Sequence, residues 1–209
     1  MKSLFAVQIG LLIVVGVMLG GVLVSSGVYS DVQNNIVKVL CLSCIKLDPK
    51  TSSNFTFETA NGQPHPKTFR DELVNGPIMI MYSEDVCDYC EQMYPVVQHM
   101  MNVSFDKDDS IHVHRMMNGT NVTFYFINID HTTPALRATE DIYDKDHVGG
   151  LPMFTFITLR YDQGTVRPYY TSVYGILGLS TPEQREAALV NILNDSIHLY
   201  HDSIIGYEP

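Results

Sequence analysis

The first two dozen residues hold the feature that most limits how this chain can fold. The run from Leu4 to Val24 contains no charged side chain, and Gln8 is its only strongly polar member. A helix needs about 20 apolar residues to cross a bilayer, which this run provides. A helix packed on a globular core would keep a polar face, and this run has none. The sequence therefore predicts a transmembrane helix, with residues 1–27 forming a membrane anchor or a signal segment.

Two fates stay open for this segment. It can remain as an uncleaved anchor, which its length favours, or be removed as a signal peptide at the small residues 25–27. Both fates leave Lys2 in the cytoplasm and export the rest of the chain. We predict a single-pass protein of the cell membrane whose folded domain lies on the extracytoplasmic side.

The asparagines support export. Five of the eleven are followed by x-Ser/Thr, the acceptor pattern for N-glycosylation, whereas Ser/Thr frequency alone predicts about one or two. These five are Asn54, Asn102, Asn118, Asn121 and Asn194. Loops rich in Asn and Thr give the same pattern without any sugar. With the anchor, the sequons favour a glycoprotein in a compartment where disulfides persist.

Charge and cysteine spacing narrow the chemistry. The formal net charge is −10, from 23 acidic and 13 basic side chains, and no Lys/Arg cluster stands out. Such a chain repels phosphate backbones, so we expect no nucleic acid partner. The four cysteines form two Cys-x-x-Cys pairs, Cys41/Cys44 and Cys87/Cys90. This repeated spacing is the strongest chemical signal in the sequence.

The remaining residues divide into two parts. Residues 28–53 form a membrane-proximal connector that carries Cys41 and Cys44, and residues 54–209 form one globular domain. Strands are predicted at 55–59, 77–82, 122–130, 153–159 and 166–175, and helices at 67–75, from Cys87 onward, at 132–144 and at 182–200. Thr181 is the predicted N-cap of the last helix. The pattern predicts an α/β fold with a central mixed sheet flanked by helices.

The second cysteine pair follows a buried strand and opens a helix. The apolar run 77–82 leads into Cys87, and apolar residues recur at helical spacing beyond it. A thiolate at a helix N-terminus is stabilised by unpaired N–H groups and the helix dipole. Cys90 falls on the same helical face, so its thiol can attack a mixed disulfide on Cys87. We predict that Cys87 attacks and Cys90 resolves.

From residue 54 to about 200 the chain resembles the thioredoxin superfamily. The resemblance rests on the strand 77–82, on Cys87-Asp88-Tyr89-Cys90 opening a helix, and on Gly150-Leu151-Pro152 before a strand. It implies a thioredoxin-like fold and a protein-disulfide oxidoreductase that needs no cofactor. It also implies a cis peptide bond at Pro152 and substrate contacts at Leu151, Pro152 and Tyr89, with thiols or disulfides of exported proteins as partners.

The chain departs from thioredoxins proper at two positions. Val86 stands where those proteins carry tryptophan, and Met81 where they carry a buried aspartate. Four acids surround the pair instead, namely Glu84, Asp85, Asp88 and Glu91. Negative charge opposes a thiolate on Cys87, so we expect a reducing rather than a strongly oxidising site. A merely solvated acidic rim is the alternative.

The first cysteine pair permits several roles. Cys41/Cys44 can relay electrons between Cys87/Cys90 and a membrane electron-transfer partner, or can be a structural disulfide or an inert thiol pair. A zinc site built from all four cysteines is disfavoured, because the stretch between the two pairs is much longer than that of compact zinc modules. The histidines form no recognised ligand motif, so His112-x-His114 and His198-x-x-His201 are assigned to surface or packing and no metal is predicted.

We therefore expect thiol–disulfide exchange on exported proteins, with the reductase, oxidase or isomerase direction open. The alternative, from another functional class, is a non-catalytic thioredoxin-like binding module, such as a metallochaperone or assembly factor. In that case the thiols would hold a metal or a static disulfide.

Overall fold

The computed structural model describes residues 55–207 and residue 209. The predicted anchor, the connector with Cys41 and Cys44, and Asn54 lie outside the described residues. Among the helices of the described part, none combines the length and the apolar character needed to cross a bilayer.

Five strands and five helices make up the described part. The helices are α1 (Lys67–Glu72), α2 (Asp88–Met101), α3 (Pro134–Arg137), α4 (Thr139–Tyr143) and α5 (Pro182–Ser203). The strands are β1 (Ile78–Ser83), β2 (Ser110–Met117), β3 (Thr120–Asn128), β4 (Met153–Asp162) and β5 (Thr165–Tyr174). They form one sheet in the order β2-β3-β1-β4-β5. Only β1 and β3 pair in parallel, so the sheet is mixed, as predicted.

Strand β1 is the centre of the domain. Every one of its residues is buried, which fits the continuous apolar run in the sequence. On one face, Met79 and Met81 pack with side chains of α2 and α5. On the other face, Ile78, Ile80 and Tyr82 pack with side chains of α1 and α4. Helices therefore cover both faces of the sheet.

Two tight hairpins flank β1. Asn118 and Gly119 join β2 to β3, and Gln163 and Gly164 join β4 to β5. All four have positive φ, the geometry of the type I′ turn that suits twisted antiparallel strands. Strands β4 and β5 were both predicted, whereas β2 was not.

Helix α5 begins as predicted. The Thr181 hydroxyl accepts a hydrogen bond from the backbone N–H of Gln184. The Gln184 side-chain oxygen accepts in turn from the backbone N–H of Thr181, which completes a capping box.

One predicted strand is wrong. The segment 55–59 is not a strand, since only Thr56 pairs there, in a single bridge to Tyr170 of β5. The chain then turns away, and the Phe57 ring packs beside Tyr169.

Gly76, between α1 and β1, sets the entry into the central strand. A Cβ atom at this position would lie 1.7 Å from the Asn121 carbonyl oxygen.

We predict that Gly76→Ala lowers the free energy of unfolding by about 3 kcal/mol, because the start of β1 must shift. Gly62 has φ +71° and nothing within 4 Å of such an atom. Gly62→Ala should therefore cost only about 1 kcal/mol. Denaturant unfolding of the full chain measures both, and equal losses would contradict the prediction.

Candidate active site

The candidate site begins where β1 ends. The chain passes from Ser83 through a short turn to Cys87, which is the N-cap of α2 with extended backbone dihedrals. The Cys87 Sγ accepts a hydrogen bond from the Cys90 backbone N–H at 3.1 Å. Cys87 therefore lies at a helix N-terminus, where unpaired N–H groups favour a negatively charged sulfur.

The two cysteines of the turn are joined and differ in access. Cys87 and Cys90 form a disulfide, with their Cα atoms 5.2 Å apart. Cys90 is fully buried against the core, whereas Cys87 is partly exposed. An external thiol or disulfide can therefore reach Cys87 first, and Cys90 only through Cys87.

Helix α2 is fixed to the end of β1 by a hydroxyl pair. The Ser83 and Tyr94 hydroxyl oxygens are 2.6 Å apart. The Tyr94 ring packs edge-on against Phe105 and Phe126. This contact joins the strand before the cysteines to the second turn of the helix after them, so it holds the Cys87 turn from both sides.

Asp85 connects the same turn to the end of β3. Its Oδ1 accepts from the Asn128 Nδ2 at 3.0 Å and lies 2.9 Å from the His131 Nε2. Its backbone N–H donates to the Asp130 carboxylate at 3.0 Å. The Asn128 amide, with a smaller contribution from His131, holds the pKa of Asp85 below its ordinary value. Asp85 is thus a structural member of the site as well as an acid on its rim.

The proline of the predicted motif lies at the same end of β1. Pro152 is buried, and the Leu151–Pro152 peptide bond is cis, as the resemblance implies. The following residue, Met153, pairs with Tyr82 near the end of β1. The register therefore brings Pro152 next to the strand end that leads to Cys87.

Exposed apolar side chains surround this end of the sheet. Val86 is 89% exposed and Tyr89 is 52% exposed, on either side of Cys87. Val148, just before the cis peptide bond, is 40% exposed. The loop of Val148 is ordered by Asp144, whose carboxylate accepts from the backbone N–H groups of Val148 and Gly149 at 2.9 Å. Val86 and Tyr89 therefore offer apolar surface next to a partly exposed cysteine, and Val148 adds an exposed apolar side chain on the loop that leads to the cis proline.

The structure brings together only some of the residues that the sequence singled out. Cys87, Cys90 and Tyr89 share the turn into α2, and Leu151 and Pro152 lie at the same end of the sheet. Cys41 and Cys44 lie outside the described residues. Asn128 and His131 were missed, because their contact with Asp85 depends on how β3 pairs with β1.

Comparison with models of known protein families gave no match, and comparison with curated protein sequences gave none either.

The lowered pKa of Asp85 predicts a pH-dependent stability. A carboxyl whose pKa is lower in the folded chain stabilises it above the unfolded-state pKa of about 3.9, and this contribution disappears as the pH falls through the folded-state pKa. We expect Asp85→Asn to lower the free energy of unfolding at pH 5, and the difference from the parent chain to shrink towards pH 2.5.

Denaturant unfolding at pH values between 5 and 2.5 measures this difference. Asp202→Asn, at an exposed position near the end of α5, is the control and should give a small difference at every pH. A difference for Asp85→Asn that stays constant as the pH falls would contradict the role assigned to its carboxylate.

Proposed function

We propose that this chain is a thioredoxin-like thiol–disulfide oxidoreductase that acts on exported proteins. The main support is the Cys87–Cys90 disulfide at the N-terminus of α2, with Cys87 partly exposed and Cys90 buried. The five-stranded mixed sheet, flanked by helices and with a cis proline beside the site, is compatible with a thioredoxin-like fold. The sequence resemblance points to the same family.

The proposed reaction exchanges one disulfide for another. In the reduced protein, the Cys87 thiolate attacks a client disulfide, forms a mixed disulfide and releases one client sulfur, which takes up a proton. The Cys90 thiol then loses its proton and attacks the Cys87 Sγ. The second client thiol leaves, and the Cys87–Cys90 disulfide forms. The client gains two electrons and two protons, and the reverse sequence oxidises a client dithiol.

Client recognition would use backbone and apolar contacts. Tyr89 and Val86 expose apolar surface beside Cys87, and Val148 is exposed on the loop before the cis proline. Such side chains suit a partly unfolded chain with its own apolar residues exposed. The residue before the cis proline, Leu151, would pair its backbone with the client, as in the thioredoxin superfamily. Such contacts are not specific to one sequence, so the site would accept many clients.

The acids around the turn favour a reducing site. Glu84, Asp88 and Glu91 are close in sequence to Cys87, and Asp88 and Glu91 lie in the first turn of α2. Their negative charge disfavours the thiolate, which makes the reduced form less stable and lowers the reduction potential. We therefore expect a potential near that of thioredoxin, about −270 mV, and far from the roughly −120 mV of the strongest periplasmic oxidant.

The proposed location is the extracytoplasmic face of a membrane. The apolar run 4–24 would anchor the chain, and Cys41/Cys44 would lie near the membrane on the same side as the folded domain. That pair could then return electrons from a membrane partner to Cys87/Cys90. Asn102 and Asn118 are exposed, as glycosylation requires, while Asn121 and Asn194 are half-buried.

The two cysteine roles predict different behaviour of two single variants. Cys90→Ser should accumulate a mixed disulfide with a model client such as insulin, because Cys87 still attacks but nothing resolves the bond. Cys87→Ser should form none through this site, since Cys90 is buried. Both variants should lose roughly 100-fold or more in turnover of insulin disulfides under dithiothreitol.

Non-reducing electrophoresis with mass spectrometry detects the adduct. The full chain with Cys41→Ser and Cys44→Ser is the common background, so that only the second pair can react. A mixed disulfide that forms equally in both variants would overturn the assigned roles. Failure of Cys87/Cys90 to exchange reversibly in glutathione buffers would refute the oxidoreductase and favour the binding-module alternative.

The charge argument predicts a measurable change in potential. Asp88→Asn with Glu91→Gln should stabilise the Cys87 thiolate and raise the reduction potential by about 10–40 mV, since exposed charge pairs contribute roughly 0.2–1 kcal/mol each and about 30 mV corresponds to about 1.4 kcal/mol. Equilibration in dithiothreitol and glutathione buffers measures the potential. Asp202→Asn, distant in sequence, should leave it unchanged. An unchanged potential in the double variant would mean that the acids form only a solvated rim.

A further inference from the structure

A second group of chemically active side chains lies away from the cysteines. It consists of Glu72, the last residue of α1, and of His112 and His114 on the edge strand β2. The two histidines are two positions apart on a strand, so they point to the same face of the sheet. That face is the one on which α1 packs, which brings Glu72 to them.

The possible ligand atoms of these side chains converge. The Glu72 Oε2 lies 4.0 Å from the His112 Nε2, and the Glu72 Oε1 lies 3.5 Å from the His114 Nδ1. One ligand atom from each residue can be chosen so that all three lie within 4.8 Å of one another. In a tetrahedral site with bonds of about 2.0–2.1 Å, ligand atoms are about 3.3 Å apart. Small movements of two half-exposed imidazoles would therefore close the site.

Neighbouring side chains hold the three groups in position. The His112 ring stacks on Tyr125, with ring centroids 4.4 Å apart and planes 6° from parallel. The His114 Nδ1 lies 3.1 Å from the Thr123 hydroxyl. That hydroxyl also donates to the Glu72 Oε1 at 3.1 Å. On binding a metal, the His114 Nδ1 would give up its contact with Thr123, whereas the Thr123–Glu72 hydrogen bond is of the outer kind that orients a ligand in protein metal sites.

The Glu72 carboxylate carries negative charge in a largely buried position. Its side chain is only 16% exposed, and within the described part of the chain its ion-pair partners are the two histidines rather than a lysine or arginine. A cation between the carboxylate and the imidazoles would neutralise this charge.

We propose that Glu72, His112 and His114 bind a divalent transition-metal ion of the Zn²⁺ type. Two imidazole nitrogens and one carboxylate oxygen suit Zn²⁺, Cu²⁺ or Ni²⁺, whereas Ca²⁺ and Mg²⁺ prefer oxygen ligands alone. Three protein ligands leave a fourth position for water or an external ligand. The ion would also join α1 to β2, and so stabilise an edge strand that has only one neighbour in the sheet.

The site is separate from the cysteines. Thr123 pairs with Ile78 at the start of β1, whereas Cys87 follows the other end of that strand. Through β3, His114 is aligned with the start of β1 and His112 with Ile80 in its middle, so the remaining residues of β1 lie between the proposed metal site and the cysteine turn. Metal binding here should not depend on Cys87 or Cys90, and its failure would leave the proposed thiol chemistry untouched.

Calorimetric titration with Zn²⁺ alone tests the proposal. The full chain is used with Cys41→Ser and Cys44→Ser and with Cys87/Cys90 oxidised, so that no thiol competes for the ion. We expect one tightly bound equivalent per chain and a rise in the thermal unfolding temperature. His114→Gln and Glu72→Gln should each weaken binding roughly tenfold or more. The exposed His198→Gln should bind like the parent.

Two readouts separate loss of the site from loss of the fold. His114 is exposed, so His114→Gln should unfold at the same temperature as the parent without metal, which keeps the test valid even if Glu72→Gln misfolds. In the parent chain, Zn²⁺ should shift the ring resonances of His112 and His114 but not those of His198. Absence of binding by the parent, or affinity unchanged in His114→Gln, would overturn the proposal.

Discussion

The pairing of β1 on both sides is the constraint on which the rest of the structure depends. The strand is buried on both faces and lies between β3, which runs parallel to it, and β4, which runs antiparallel. Its C-terminal end therefore meets the end of β3 and the start of β4. The Cys87 turn, the Asn128 amide and the cis Pro152 come together there because the register of one strand aligns all three.

The same register gives the domain two chemically different ends. At one end of β1, a partly exposed sulfur is surrounded by acids and apolar side chains, an arrangement suited to exchange with flexible protein chains. Towards the other end, a largely buried carboxylate faces two imidazoles, an arrangement suited to a cation. The buried core of the sheet separates them. Each proposed activity can therefore be removed by substitutions that leave the other end in place.

The sequence predicted those parts of the fold whose signal is local. The apolar run of β1, the cap at Thr181 and the placement of Cys87 at a helix N-terminus all depend on neighbouring residues, and all are confirmed. Strand β2 was missed because its polar face carries His112 and His114 in alternation with half-buried residues, although Asn118-Gly119 is a strong hairpin signal. Contacts between distant residues could not be read from the sequence. Asp85 meets Asn128, and Glu72 meets His112, only once the sheet register is known.

The strand order also has a consequence for how the domain folds. The hairpins β2–β3 and β4–β5 each close through a tight turn, so each can form from local contacts on a timescale of about 1–10 μs. Strand β1 has no such neighbour, since its first residue, Ile78, pairs with Thr123 and Ile157, both far along the chain. Closing those long loops costs more chain entropy, so we expect it to be the slow step. The sheet is complete only when β1 lies between the two hairpins, so we expect the strand that leads to the cysteine turn to be the last to join it.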